Sequence, residues 1–175
     1  IEEIRLRKTG FLRKNRKFQN PVTSKTKLLS GTKTSLLIAA TSDLQGSLTS
    51  VRLLLRKRSR GLLHLVMPLK KLREKYPELI LLDAADTIQG DSSCFYFSYV
   101  APEATKPLPV IEMMDWLKYD TLTLGNHDFE LPTNILKKII AQAQFNWLAA
   151  NVSFRNVKQP FFPPYKIIES HGVCV

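Results

Sequence analysis

Four short apolar runs mark the chain from residue 36 onward, and helix-like patterns separate them. Leu36–Ala40 and Leu79–Leu82 are continuous apolar stretches, and Thr121–Leu124 and Phe145–Ala150 are largely apolar ones, each bounded by polar or turn-forming residues, which is how a strand reads. Between the first two, Leu62, Leu65, Val66, Leu69 and Leu72 recur at helical spacing and predict a helix from Leu62 to Lys75. Pro68 sits inside that stripe and either kinks the helix or delays its start. Pro107 or Pro109 opens a second helix reaching to near Lys118, and Pro132 opens a third reaching to near Gln144. Asp91–Lys106 reads as a loop; its cluster Phe95-Tyr-Phe-Ser-Tyr99 suits core or lid packing better than base stacking. Pro160–Pro164 is a turn, and Tyr165–Ile168 with Val173–Val175 predicts a hairpin around Ser170-His-Gly172. Strands alternating with helices give an α/β layered sheet. No internal repeat is present.

The first third has a different character. Residues 1–35 are basic, polar and without periodicity, punctuated by Gly10, Asn20-Pro21 and Gly31, so they are expected to form a poorly ordered segment ahead of a domain covering 36–175. The whole chain holds 26 Lys and Arg against 15 Asp and Glu, a net charge of +11. Residues 1–60 alone carry a net charge of +12 and the rest −1, so the basic balance belongs to the first third. A contact with nucleic acid or another polyanion through residues 1–60 is the partner class this implies. No run approaches the length of a membrane-spanning helix. The first 35 residues lack the apolar stretch of a secretory leader, and nothing in the chain gives an address. Cys94 and Cys174 form no disulfide or zinc framework. A start at Ile1 and an end within an apolar run at Val175 are expected of a piece of a longer product.

Each of the first three strand-like runs leads into donors suited to metal or proton chemistry. The first is followed by Asp43 and Gln45, the second by Asp83 and Asp86, and the third by Asn126 and His127. An Asn or Gln carbonyl serves a hard ion, and a His ring nitrogen serves a metal or a leaving group. Open α/β sheets place their chemistry at this end of the strands. Asp83 reads as a strand-end residue bonding backbone amides, His64 as an ordinary surface or half-buried histidine on the helical segment, and His171 as an exposed one in the hairpin turn.

The blocks Asp43-Leu-Gln-Gly46, Ala85-Asp-Thr-Ile-Gln-Gly90 and Gly125-Asn-His-Asp128 resemble the motifs of the calcineurin-like metallophosphoesterases, in the branch of 5'-nucleotidases and 2',3'-cyclic-nucleotide phosphodiesterases. Asp115-Trp-Leu-Lys-Tyr-Asp120 and Trp147-Leu-Ala-Ala-Asn151 add to the likeness, which runs from about residue 36 to the C-terminus. The resemblance implies a layered metallophosphatase-type sheet sandwich flanked by helices, truncated at the C-terminus. It implies metal-dependent hydrolysis of nucleotide phosphoesters with two divalent ions, Mn, Mg or Zn. By the same resemblance Asp43 binds the first ion, Asp86 bridges the two and Asn126 binds the second. His127 is the non-ligand catalytic histidine, Glu130 its carboxylate partner, and Asp128 fills the acidic place directly after it.

Three departures set a limit. Gln45 stands where the family has a metal-binding His, Ala85 replaces a usual Gly, and the family's downstream Gly-His-x-His block is not in this chain. An amide oxygen suits Mg²⁺, Ca²⁺ or Mn²⁺ and is a poor substitute for imidazole at Zn²⁺. Weak metal binding and weak or absent catalysis are therefore expected of this chain. The alternative is a degenerate, non-catalytic module whose basic N-terminal segment binds a polyanion.

Overall fold

The computed structural model describes residues 4–6, 33–49, 61–101, 107–154 and 160–175. Most of the basic first segment and the cluster at 52–60 lie outside the described residues. The chain divides into two compact units, one formed by Leu37–Leu148 and the other by Ile1–Leu36 with Ala149–Val175.

The first unit holds a four-stranded parallel sheet. Its strands are β2 (Ile38–Thr41), β3 (Ile80–Asp83), β4 (Thr121–Thr123) and β5 (Asn146–Leu148), side by side in sequence order. The register pairs Thr41 with Asp83, Asp83 with Leu122 and Leu122 with Trp147, so all four strands end at one edge. A central strand of a parallel sheet is covered on both faces. Accordingly Ile80 and Leu81 of β3 are buried, whereas Ile38 on the outer strand β2 is exposed. Each strand begins and ends within a residue or two of its apolar run.

The helices follow the apolar stripes. A 3₁₀ turn at Leu62–Leu65 leads into α1 (Val66–Lys75). Pro68 falls in the first turn of α1, where its missing N–H has no partner to lose. Pro109 occupies the first turn of α3 (Pro109–Trp116), and Pro132 caps α4 (Thr133–Gln142). Leu62, Leu69, Leu81, Ile88, Ile111, Met114, Leu122 and Leu136 make the core of this unit. Two carboxylates fasten its corners: Asp120 accepts the Leu81 N–H at 2.8 Å, and Asp115 accepts that of Gln144 at 2.8 Å.

One segment departs from the sequence reading. Residues 91–100, expected as loop, form a short helix α2 (Ser92–Phe95) that continues as a π-helical turn at Tyr96–Val100. Asp91 caps it, accepting the Ser93 N–H at 2.9 Å. Its aromatics are not core: Phe95, Tyr96 and Tyr99 are exposed, with the Phe95 and Tyr99 rings 5.2 Å apart.

In the second unit, β1 (Ile4–Leu6) pairs antiparallel with β6 (Val152–Phe154), placing Ile4 opposite Phe154. A hairpin of β7 (Glu169–Ser170) and β8 (Val173–Cys174) turns on His171 and Gly172, both at positive φ. Mutual backbone bonds between Ile168 and Val175 extend it by one pair; the hairpin forms where expected, but its first strand is Glu169–Ser170 rather than Tyr165–Ile168. Among the described residues no helix is long and apolar enough to cross a membrane.

Candidate active site at the strand edge

The candidate residues leave adjacent parallel strands at the same edge. Asp43 and Gln45 follow β2, Asp86 follows β3, and Asn126 and His127 follow β4. Backbone hydrogen bonds carry the sheet beyond its last ladder pair. Ala84 N–H donates to Thr41 O at 2.8 Å, Asp43 N–H to Ala85 O at 3.0 Å, Gln45 N–H to Asp86 O at 2.9 Å and Gly46 N–H to Thr87 O at 2.7 Å. The third loop joins through a side chain: Asp86 Oδ1 accepts the His127 N–H at 3.0 Å.

This path bends the backbone sharply. Asp43 (φ 53°), Gln45 (φ 46°), Ala85 (φ 100°) and Asp86 (φ 56°) all lie in the left-handed region, together with Gly46 and Gly90. Asp tolerates that region better than most residues, whereas Ala gains nothing local from it. Non-glycine residues held there cost on the order of 1–3 kcal/mol each and cluster at functional sites. Four such residues in two touching loops mark this edge as a place where geometry outranks stability.

Asp128 fastens the loops. It is fully buried, and its two oxygens accept four backbone N–H groups: Asp86 at 3.1 Å, Thr87 at 3.0 Å, Ile88 at 2.9 Å and Gly125 at 2.9 Å. Burial pushes its carboxyl above the usual range while the amide bonds pull it back. Asp83, also buried, does similar work one layer down. Its Oδ1 accepts Thr87 Oγ1 at 2.6 Å and the Ala85 N–H at 3.1 Å; its Oδ2 accepts Thr41 Oγ1 at 2.5 Å. Tyr119 Oη lies 3.0 Å from Thr41 Oγ1 and closes the network, with its phenol pushed up to about 12 by burial. The strand-end reading of Asp83 anticipated the amide bond but not the two hydroxyls. Neither Thr41 nor Tyr119 carried a sequence signal for this role.

His127 and Glu130 face outward. Nδ1 of His127 lies 2.8 Å from Glu130 Oε1, and both side chains are substantially exposed. The hydrogen bond to Glu130 raises the pKa of His127, assisted by the charges of Glu130, Asp86 and Asp128. With Nδ1 turned to Glu130, Nε2 is the nitrogen left for a substrate. Cys94 lies under Gly46, and burial pushes its thiol up to about 12, so it is no nucleophile.

Gly125 is required by close approach. A Cβ there would come within 2.0 Å of Asp86 Oδ1 and 2.8 Å of Asp86 N. Gly125→Ala is expected to push the Asp86 loop away and to destabilise the chain by about 1–3 kcal/mol, as overpacking does. Urea denaturation at matched m-values measures it, and a change below a few tenths of a kcal/mol would show that the loop yields freely.

As a metal site the edge is lean. Among the described residues no three His, Cys, Asp or Glu side chains gather as a metal group. The sequence offers as candidates the carboxylates of Asp43 and Asp86 and the amides of Gln45 and Asn126, and one Asp86 oxygen is already engaged by the His127 N–H. An all-oxygen set of this kind suits a hard ion better than Zn²⁺.

The fold is thus an α/β protein whose parallel sheet carries Asp, Asp and an Asn-His pair after three consecutive strands at one edge. No family model matches the chain. It is 31% identical over 105 residues to a Haemophilus influenzae 2',3'-cyclic-nucleotide 2'-phosphodiesterase/3'-nucleotidase, a match covering 60% of this chain and 16% of the relative. It is 29% identical over 120 residues to a Rattus norvegicus 5'-nucleotidase, covering 66% and 19%. Among solved structures, the calcineurin-like phosphoesterase YfkN from Bacillus subtilis superposes with a TM-score of 0.68 at 32% identity, over 77% of this chain and 42% of that one. The chain is a relative of the calcineurin-like phosphoesterases, in their 5'-nucleotidase and 2',3'-cyclic-nucleotide phosphodiesterase branch. It spans less than a fifth of the length of these two curated relatives.

Proposed function

We propose that residues 37–148 carry part of a nucleotide phosphoesterase site, with little or no turnover by this chain alone. The observation that carries the reading is the joining of three strand-end loops through the Asp43–Ala85, Gln45–Asp86 and Asp86–His127 hydrogen bonds. The relatives' names supply the substrate class, a nucleotide phosphoester.

Asp43, Asp86, Asn126 and the Gln45 amide are the groups to hold divalent ions, which when bound neutralise phosphate charge and acidify water. His127 presents Nε2 to the leaving oxygen and Glu130 orients the ring, the arrangement of a general acid. Asp128 is a positioning residue in this scheme rather than a proton carrier, because both its oxygens face backbone amides.

Titration calorimetry of the full chain with Mn²⁺ and with Zn²⁺ tests the reading. Weak Mn²⁺ binding, abolished in Asp86→Ala, is the expected result, with no tight Zn²⁺ site. Tight stoichiometric Zn²⁺ binding lost in Asp86→Ala would overturn the donor assignment. Mn²⁺ binding indifferent to Asp86→Ala would overturn the site.

A further inference from the structure

The sheet has a second end, where the strands begin, and there α1 and α3 finish beside one another. Between them opens a cavity of about 440 Å³. One wall is the last two turns of α1, with Leu69, Lys70 and Glu74; the other is the end of α3, with Trp116 and Lys118. We propose that this groove is a docking site for an acidic peptide segment of a partner protein, anchored by an apolar side chain against Trp116.

Three observations carry it. Trp116 is 62% exposed although it lines a concavity, whereas Trp147, the other tryptophan, is 5% exposed. A large ring left open in a hollow is the residue type that anchors interfaces. Second, Arg73 is pinned between the walls: Nε donates to Leu117 O at 3.3 Å, Nη1 to Leu79 O at 3.2 Å and Nη2 to Lys118 O at 2.5 Å. That guanidinium ties α1 to the end of α3, so the groove is preformed and little ordering is needed on binding.

Third, the rim charges favour a carboxylate-bearing guest. Lys70 and Lys118 stand on opposite walls and make no ion pair among the described residues, and Glu74 is the single acid of the lining. With Arg73 the lining holds three cations to one anion. The partial negative charge at two helix C-termini disfavours a compact phosphate dianion on the floor. Carboxylates spread along a peptide reach the two ammonium groups without approaching those termini.

The test uses the full chain and a fluorescein-labelled peptide, Asp-Glu-Leu-Leu-Glu-Asp, followed by anisotropy, with unlabelled peptide and tryptophan emission in parallel. Saturable binding is expected, with a shift in emission that Trp116→Ala removes. The double charge reversal Lys70→Glu with Lys118→Glu is expected to weaken binding by about tenfold or more, and a Lys-for-acid version of the peptide to bind no better than that variant. All three positions are exposed at the surface, and thermal melts of the variants matching the parent exclude unfolding as the cause. No saturable binding would overturn the proposal. Equal affinity in the charge-reversed variant would also overturn it, and would assign the peptide to the basic first third instead.

Discussion

Asp128→Ala is expected to be the most destabilising single change at the strand edge, by about 3–5 kcal/mol. The carboxylate is fully buried and is the shared acceptor for four backbone N–H groups from two loops. Truncation leaves all four donors without it in a space closed to solvent, and each orphaned donor costs roughly 1–3 kcal/mol. The costs do not add, because the loops can relax toward other acceptors, which keeps the total well below the sum of four orphaned donors. Asp128→Asn keeps the volume and one acceptor oxygen, and should lie between parent and Ala. Urea denaturation of the three proteins gives the ordering. A loss below about 1 kcal/mol in Asp128→Ala would mean that the amides find water or other acceptors, and the clamp would lose its meaning.

The second large effect concerns rate. Gln45→His by itself is expected to give no phosphate release from 5'-AMP or a cyclic nucleotide with Mn²⁺ above the Asp86→Ala control. On the proposed assignment it supplies one imidazole, and Asp86 and Asn126 alone are left to define the second ion's position. Catalysis of this class depends on placement, and small looseness costs rate heavily. A chain carrying Gln45→His and extended with the downstream His-bearing segment of a relative should turn substrate over. In that protein His127→Ala is expected to lower turnover by about 10²–10⁴-fold, the scale of a lost general acid. Glu130→Gln should have a smaller effect, since it removes the orienting charge and leaves the ring in place. Activity in the single Gln45→His chain would show that the remaining ligands are dispensable.

The strands were legible because their apolar runs are short, continuous and bounded. The helices were legible because Leu62, Leu65, Val66, Leu69 and Leu72, and the prolines at 109 and 132, fix a stripe and two starts. What escaped was the helical pair at 92–100. Its serines and aromatics have no apolar stripe, and Phe95, Tyr96 and Tyr99 are exposed rather than in the core. The candidate site was legible as a set of positions, since each follows an apolar run. Its internal division of labour was not. Asp86 and Asp128 are the same residue type just past neighbouring strands; the fold buries Asp128 in a 3₁₀ turn against four amides and leaves Asp86 half-buried at the edge. Burial of a particular carboxylate is decided by long-range pairing, such as the separation of 42 residues between Asp86 and Asp128, which local pattern does not encode.

The sequential strand order has a consequence for inheritance. Because β2, β3, β4 and β5 pair only with their chain neighbours in that sheet, every candidate site residue from Asp43 to Glu130 falls within one uninterrupted stretch, and that stretch closes a unit of its own. Among the described residues no distant segment is threaded into the sheet to set the three loops against one another. Such a stretch behaves as a cassette. Recombination can move it whole between genes, and point changes can accumulate in its loops while the scaffold that displays them persists.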